Sequence, residues 1–183
     1  MLHPSMELRT SRIAGTGLFA TNAIEEGELI WRDDPDEPRF SVREIRSWPP
    51  GKRLRFYRYA YQVDDEWYAG CEEGRPYDPT YVMNHSCDPT TWFLDDHTGV
   101  ARRRVETGEE ITYDYATSEI DRTWRMKCRC GSTLCRGVIS GRDYRLLDVQ
   151  RRYGSHMMSH VLRAISNRRL RGRRSSDFAR APR

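Results

Sequence analysis

Three cysteines within eight residues, Cys128, Cys130 and Cys135, constrain this chain more than any other feature. The spacing Cys-x-Cys-x4-Cys places three soft ligands in a short glycine-containing loop, a compact arrangement for one tetrahedral zinc ion that lacks a fourth ligand. Cys87 is the candidate fourth. It lies in the densest chemistry of the chain, Met83-Asn84-His85-Ser86-Cys87-Asp88-Pro89, where a strand-like run from Tyr81 to Met83 gives way to an Asp-Pro turn. Of five cysteines, an odd number, three crowd together in this way, which favours metal ligation over a secreted disulfide framework and implies a reducing compartment. Cys71 has no partner in sequence and reads as a buried or idle thiol.

A length of 183 residues suits one domain with its own core. No apolar run approaches the roughly 20 residues of a membrane span, and the N-terminus lacks a signal-peptide core. The expectation is a soluble intracellular protein, cytoplasmic or, in a eukaryote, nuclear, with no membrane partner. The net charge of +4 conceals an asymmetry, because residues 163–183 hold eight arginines and one acidic residue while the body is mildly acidic. Acidic clusters at 33–37, 64–66 and 72–73 are solvated loops or a steering field for a Lys/Arg-rich partner.

Along the chain, residues 7–31 alternate short apolar strands with turns. Gly15 and Gly17 allow a positive φ or a close backbone approach, but no third glycine and no long helix follow, so alone they read as a tight turn. Ser41-Val42-Arg43-Glu44 has the form of a capping box, and the Trp-Pro-Pro-Gly at 48–51 stops the short helix it starts, over about 42–48. Residues 54–61 read as a second helix or, through the alternation of Tyr57, Tyr59, Tyr61 and Val63, as a strand. Residues 91–94 and 100–101 read as a hairpin around a five-residue loop, with His97 solvated at its tip. In Glu110-Ile111-Thr112-Tyr113-Asp114-Tyr115, strand alternation puts Tyr113 and Tyr115 on one face about 7 Å apart, as pocket residues or as core tyrosines. Leu146, Val149, Tyr153, Met157, Val161 and Ile165 form a helical stripe, interrupted at Gly154, that packs on the body.

Four separated pieces fall into one order: Gly15-Thr16-Gly17-Leu18-Phe19, Asn84-His85-Ser86-Cys87-Asp88-Pro89, Gly108 to Tyr115, and the Cys128 loop. In that order the chain resembles the SET-domain protein-lysine methyltransferases with a post-SET zinc segment, of the small free-standing type. The resemblance implies a mainly β fold, the SET β-clip with a pseudoknot, carrying short helices in an insert and a C-terminal helix. It assigns 6–119 to the SET domain with the insert at about 41–62, 120–141 to the post-SET zinc segment, 142–168 to the C-terminal helix and 169–183 to a basic, disordered tail.

The resemblance also implies a chemistry: transfer of a methyl group from S-adenosylmethionine to a lysine of a basic protein or peptide. By similarity Ala14, Gly15, Thr16, Gly17, Asn84 and His85 hold the cofactor, His85 by its backbone, while Tyr115 caps the transfer site. Tyr113 sits at the family's product-specificity position, and its hydroxyl implies mainly monomethylation. Cys87, Cys128, Cys130 and Cys135 hold a structural Zn2+, since four thiolates leave no open position for catalysis. Thr90 stands where the family has asparagine, and the tyrosine that lines the family's lysine channel is missing near Trp31, leaving Trp31, Tyr61 or Tyr68 to supply that wall. The competing reading is a catalytically silent SET module that binds a basic peptide or, through the arginine-rich tail, nucleic acid; a solvated tail is the default.

Overall fold

A computed structural model describes residues 1–178. Its order is β1 (Met6–Thr10), β2 (Thr16–Ala20), β3 (Leu29–Arg32), β4 (Arg39–Ser41), α1 (Val42–Ser47), α2 (Pro50–Phe56), β5 (Tyr61–Gln62), β6 (Trp67–Ala69), β7 (Asn84–His85), β8 (Thr91–Asp95), β9 (Thr98–Ala101), β10 (Glu110–Tyr113), β11 (Arg125–Lys127), β12 (Val138–Ser140), α3 (Leu147–Tyr153) and α4 (Ser159–Phe178). The strands make four small sheets, ordered β1-β2-β10-β7, β3-β9-β8, β4-β6-β5 and β11-β12. This is the mainly β architecture expected of a SET fold.

The first sheet positions the chemistry. β10 pairs antiparallel with β2, Ile111 opposite Leu18, and parallel with β7, Thr112 opposite Asn84 and Tyr113 opposite His85. Two residues of each motif therefore become neighbours through backbone pairing alone. Thr90, the departure from the family pattern, stitches the same junction: its Oγ1 accepts from the Thr112 amide at 2.8 Å, and Thr91 Oγ1 donates to the Thr112 carbonyl at 2.9 Å.

Leu18, Ile24, Ile30, Trp31, Phe93, Val105 and Ile111 form the core between the first two sheets, and the C-terminal helices close it with Val149, Tyr153, Met157, Met158, Val161 and Ile165. Each such burial contributes about 1.5–3 kcal/mol, so these helices are part of the domain and not an appendage. Five of the six stripe positions are buried and Leu146 is exposed, because it precedes α3 as an extended residue. Gly154 ends α3 at φ +54, as its interruption of the stripe implies. α4 continues past 168 to Phe178, into the segment read as a disordered tail; residues 179–183 lie outside the described residues.

Several local expectations are corrected. Residues 79–82 form a 3-10 turn capped by Asp78 instead of a strand-like run, since Pro79 supplies no donor for a ladder and pre-sets φ for a helical start. The second helix starts at Pro50, not at 54, because a proline that stops one helix suits the first turn of the next. The alternating tyrosines contribute only Tyr61 to a strand, and the hairpin turn shrinks to residues 96–97 with a register shift between Phe93 and Asp95. Strand β10 ends at Tyr113; Asp114 accepts from the Ala116 amide at 3.0 Å and caps a 3-10 turn, Tyr115–Thr117. Ser41 does cap α1, accepting from the Glu44 amide at 3.1 Å.

β3 pairs with β9 so that Trp31 faces Gly99. A methyl group at 99 would enter the Trp31 ring, which Phe93 holds edge-on at 5.6 Å between centroids. Gly99→Ala is expected to destabilise the fold by about 1–3 kcal/mol, read as a lower denaturant midpoint at unchanged slope.

Candidate active site

A cavity of about 390 Å³ opens where the sheets meet. Ala14, Gly15 and Thr16 border it from the loop before β2, Met83 and Asn84 from the start of β7, Tyr113 and Tyr115 from the end of β10, and Trp124 and Met126 from the cysteine-rich segment. Trp31, Asp33, Tyr61, Phe93 and Glu119 also line it, with residues 57–60 and 80–82 beside them. Gly17 and His85 are not on the wall; of the three aromatic residues considered in place of the missing tyrosine, Trp31 and Tyr61 border the cavity and Tyr68 does not.

Asn84 ties the N-terminal loop to this cavity. Its amide donates to the Ala14 carbonyl at 3.0 Å, the Thr16 carbonyl at 3.3 Å and Glu110 Oε1 at 2.7 Å, while Ser11 Oγ donates to the other Glu110 oxygen at 2.8 Å. Glu110 is thus a site residue that sequence reading missed; its signal was an acidic residue at the start of the strand that leads to both tyrosines. Gly15 adopts φ +49, which turns the loop back toward Ser11, and a Cβ on Gly17 would collide with the Glu110 carboxylate.

The Tyr115 hydroxyl donates to the Met83 carbonyl at 2.8 Å, and the Tyr113 and Tyr115 rings lie 4.8 Å apart at 42°. Trp31 and Phe93 pack on Tyr113 at 6.3 and 5.8 Å. Burial pushes both phenols up from their ordinary value, so each remains a neutral hydrogen-bond donor. Such hydroxyls orient a ligand; they do not exchange its protons near neutral pH.

His85 faces away from the cavity. Its Nδ1 accepts from the Tyr115 amide at 3.2 Å, which leaves the proton on Nε2, 3.3 Å from Cys87 Sγ. Burial lowers its pKa to about 4 against the pull of Asp114, so the ring is neutral.

Cys87, Cys128, Cys130 and Cys135 converge with their sulfurs all within 4.8 Å, and Cys87 and Cys128 are 3.8 Å apart. Tetrahedral zinc with Zn–S bonds of about 2.3 Å requires sulfurs about 3.8 Å apart, so this donor set fits. Further groups aim at the sulfurs: the Arg136 amide donates to Cys87 Sγ at 3.3 Å and the Gly137 amide to Cys135 Sγ at 3.4 Å. Cys71 stands apart, with its thiol against Glu73.

Asp33 brings an acidic group to the wall beside Tyr61, and the buried Glu37, which does not line the cavity, shares the same tyrosine. The Tyr61 hydroxyl lies 2.8 Å from Glu37 and 3.2 Å from Asp33, and Tyr81 donates to Glu37. Burial raises both carboxyl groups, more than these hydrogen bonds and the nearby His97 and Arg39 charges lower them. His97, read as solvated, is exposed, with its ring 3.5 Å from Asp33.

Comparison with known proteins agrees with this geometry. The family model described as SET domain matches residues 15–116. A histone-lysine N-methyltransferase, H3 lysine-4 specific, from Cryptococcus neoformans var. neoformans serotype D (strain B-3501A) is 30% identical over 138 residues, 71% of this chain and 9% of the relative. Histone-lysine N-methyltransferase TRX1 of Oryza sativa subsp. japonica is 29% identical over 144 residues, 71% of this chain and 13% of the relative. Histone-lysine N-methyltransferase 2B of Homo sapiens is 30% identical over 143 residues, 71% of this chain and 5% of the relative. The chain therefore spans a small part of the length of these relatives. With the family model covering more than half of its residues, the chain belongs to the SET-domain family.

Proposed function

We propose that this protein transfers a methyl group from S-adenosylmethionine to a lysine side chain of a basic protein, with monomethyl-lysine as the main product. The observation that carries the reading is the meeting of Asn84, Tyr113 and Tyr115 on one cavity wall that also holds the Ala14–Thr16 loop. When bound, the cofactor supplies an electrophilic methyl group on a sulfonium. The residues present fit it: a backbone loop at Gly15, the Asn84 amide and the Trp124 and Met126 side chains offer polar and apolar contacts on one side of the cavity. Gly17 and His85 contribute through the backbone and packing that hold this loop and strand β7.

The chain's own task is then positioning. In-line displacement needs the amine nitrogen held near attack distance and aligned with the methyl carbon. Trp31, Tyr61 and Phe93 form an apolar channel for the lysine methylenes, and the phenols of Tyr113 and Tyr115 meet the nitrogen at its end. Desolvation there disfavours the ammonium form, whose ordinary pKa is near 10.4, and so frees the lone pair. The Tyr115 hydroxyl, fixed by the Met83 carbonyl, acts as a preorganised dipole. Zinc on Cys87, Cys128, Cys130 and Cys135 is structural in this reading and holds the segment carrying Trp124 and Met126 against the cavity, which gives 120–141 the part of a post-SET segment. The substrate class is supported by Asp33 on the cavity wall and by the names of the relatives, which are histone-lysine enzymes. A eukaryotic owner would place it in the nucleus.

Three outcomes are expected. With labelled cofactor and a panel of basic proteins, wild type transfers label and Tyr115→Phe loses about 10²-fold or more in rate while it still binds cofactor; no transfer by wild type across the panel would favour a silent binding module. Tyr113→Phe gives more di- and trimethyl-lysine by mass spectrometry, because removing the hydroxyl makes room for a methylated amine to turn; an unchanged product ratio would overturn the monomethylation reading. Cys87→Ser lowers zinc below one per chain and weakens cofactor binding with it, read by metal analysis and by the cofactor-induced rise in Tm.

A further inference from the structure

Glu119 is a buried carboxylate, 8% exposed, on the wall of the cavity that holds Tyr113 and Tyr115. It follows Tyr115 by one turn, and its backbone amide donates to the Tyr115 carbonyl at 2.8 Å. One carboxylate oxygen is engaged by the Asp121 amide at 2.7 Å and the Tyr68 hydroxyl at 3.3 Å. Among the described residues no lysine, arginine or histidine comes within ion-pairing distance of it. The titratable groups that face it are Tyr68 from β6, Tyr57 from the end of α2, Tyr113 from β10 and Asp121 from its own turn, all neutral or negative. Arg58, the one arginine on the cavity wall, lies over the Tyr59 ring. A buried carboxylate without a cation is costly in a finished core. It is economical where a ligand brings the cation.

We propose that Glu119 receives the target lysine's ammonium and takes up the proton it must lose. The inference rests on the lysine-methylation reading above. One N–H bond of the ammonium breaks and its electron pair stays on nitrogen as the attacking lone pair; one O–H bond forms on the Glu119 carboxylate, leaving a neutral amine and a neutral carboxylic acid. The proton returns to solvent after the product leaves. An ordinary carboxylate would be too weak a base for this step, but burial lifts Glu119 to about 7, close to working pH. Asp33, farther along the wall, is held by Tyr61 and faces His97, so it suits charge attraction at the entrance.

The test is the pH profile of kcat/KM for a lysine peptide, measured for wild type, Glu119→Gln and Tyr68→Phe, with the cofactor-induced Tm shift recorded for each. Wild type is expected to rise through an apparent pKa of about 7. Tyr68→Phe removes a hydrogen bond that lowers the Glu119 pKa, so its rising limb moves to higher pH. Glu119→Gln keeps the cofactor-induced Tm shift, loses the limb and falls about 10²-fold or more at neutral pH. A Glu119→Gln profile like that of wild type would overturn the proton-acceptor role and leave lysine methylation standing. Should Glu119→Gln fail to fold, an unmoved limb in Tyr68→Phe overturns it equally. Wild type that takes up cofactor but transfers nothing to any peptide overturns the underlying reading and this role together.

Discussion

The rest of the site depends on one buried carboxylate, Asp114. It stands between the two tyrosines of the cavity, 1% exposed, and accepts from Arg136 Nη1 at 2.8 Å and Nη2 at 2.6 Å, from the Tyr153 hydroxyl at 2.9 Å and from the Ala116 amide at 3.0 Å. Three distant parts of the chain meet there: the end of β10, the cysteine loop through Arg136, and α3 through Tyr153. Arg136 also places its backbone amide on Cys87 Sγ, and Asp143 adds a second negative charge 3.0 Å from its Nε, in contact without hydrogen-bond alignment. Losing one member of such a buried pair would cost about 3–5 kcal/mol by stranding the other charge. The consequence is local as well. The turn that aims Tyr115 cannot move without disturbing the thiolate cluster.

The same junction links metal chemistry to the cavity by a second route. Tyr115 donates its amide to His85 Nδ1, His85 directs Nε2 at Cys87 Sγ, and Arg152 Nη1 donates to the Cys87 carbonyl at 2.5 Å. Backbone and imidazole donors of this kind orient a thiolate and set its tautomeric partner. A ligand that orders the cysteine loop therefore also orders the end of β10, and with it the tyrosine pair.

The motifs legible in sequence are the ones whose function is carried by a short contiguous stretch. Asn84 and Tyr115 border the cavity and Cys87 joins the cysteine loop, as the order of the short motifs and the family resemblance they carry implied. The Ser41 cap and the Gly154 interruption were readable for the same reason: each acts within one turn of helix. What stayed hidden depends on partners far apart in the chain. Nothing near Glu110 announces that Asn84, 26 residues upstream, will meet its carboxylate. Arg136 is one basic residue among many in a chain with 31 Lys and Arg, and only folding selects it for Asp114. The apparent strand through Tyr115 failed because an aspartate that caps a turn also suits strand alternation, and the tertiary pull of Arg136 decided between them. Trp31 and Tyr61 could be named as wall candidates but not separated from Tyr68, since all three lie in strands of the same character.

Asp114 and Glu119 are both buried on one short segment, five residues apart, and their carboxyl groups move in opposite directions. Burial alone would raise both. Asp114 ends below the ordinary carboxylate range because the Arg136 guanidinium and the capped Ala116 amide overcome desolvation. Glu119 ends at about 7 because its hydrogen bonds cannot, and because Asp121 adds a like charge. The difference is a single missing cation, and it divides the labour along this segment. The paired carboxylate fixes the geometry of Tyr115, and the unpaired one keeps a place for positive charge that the protein itself does not fill.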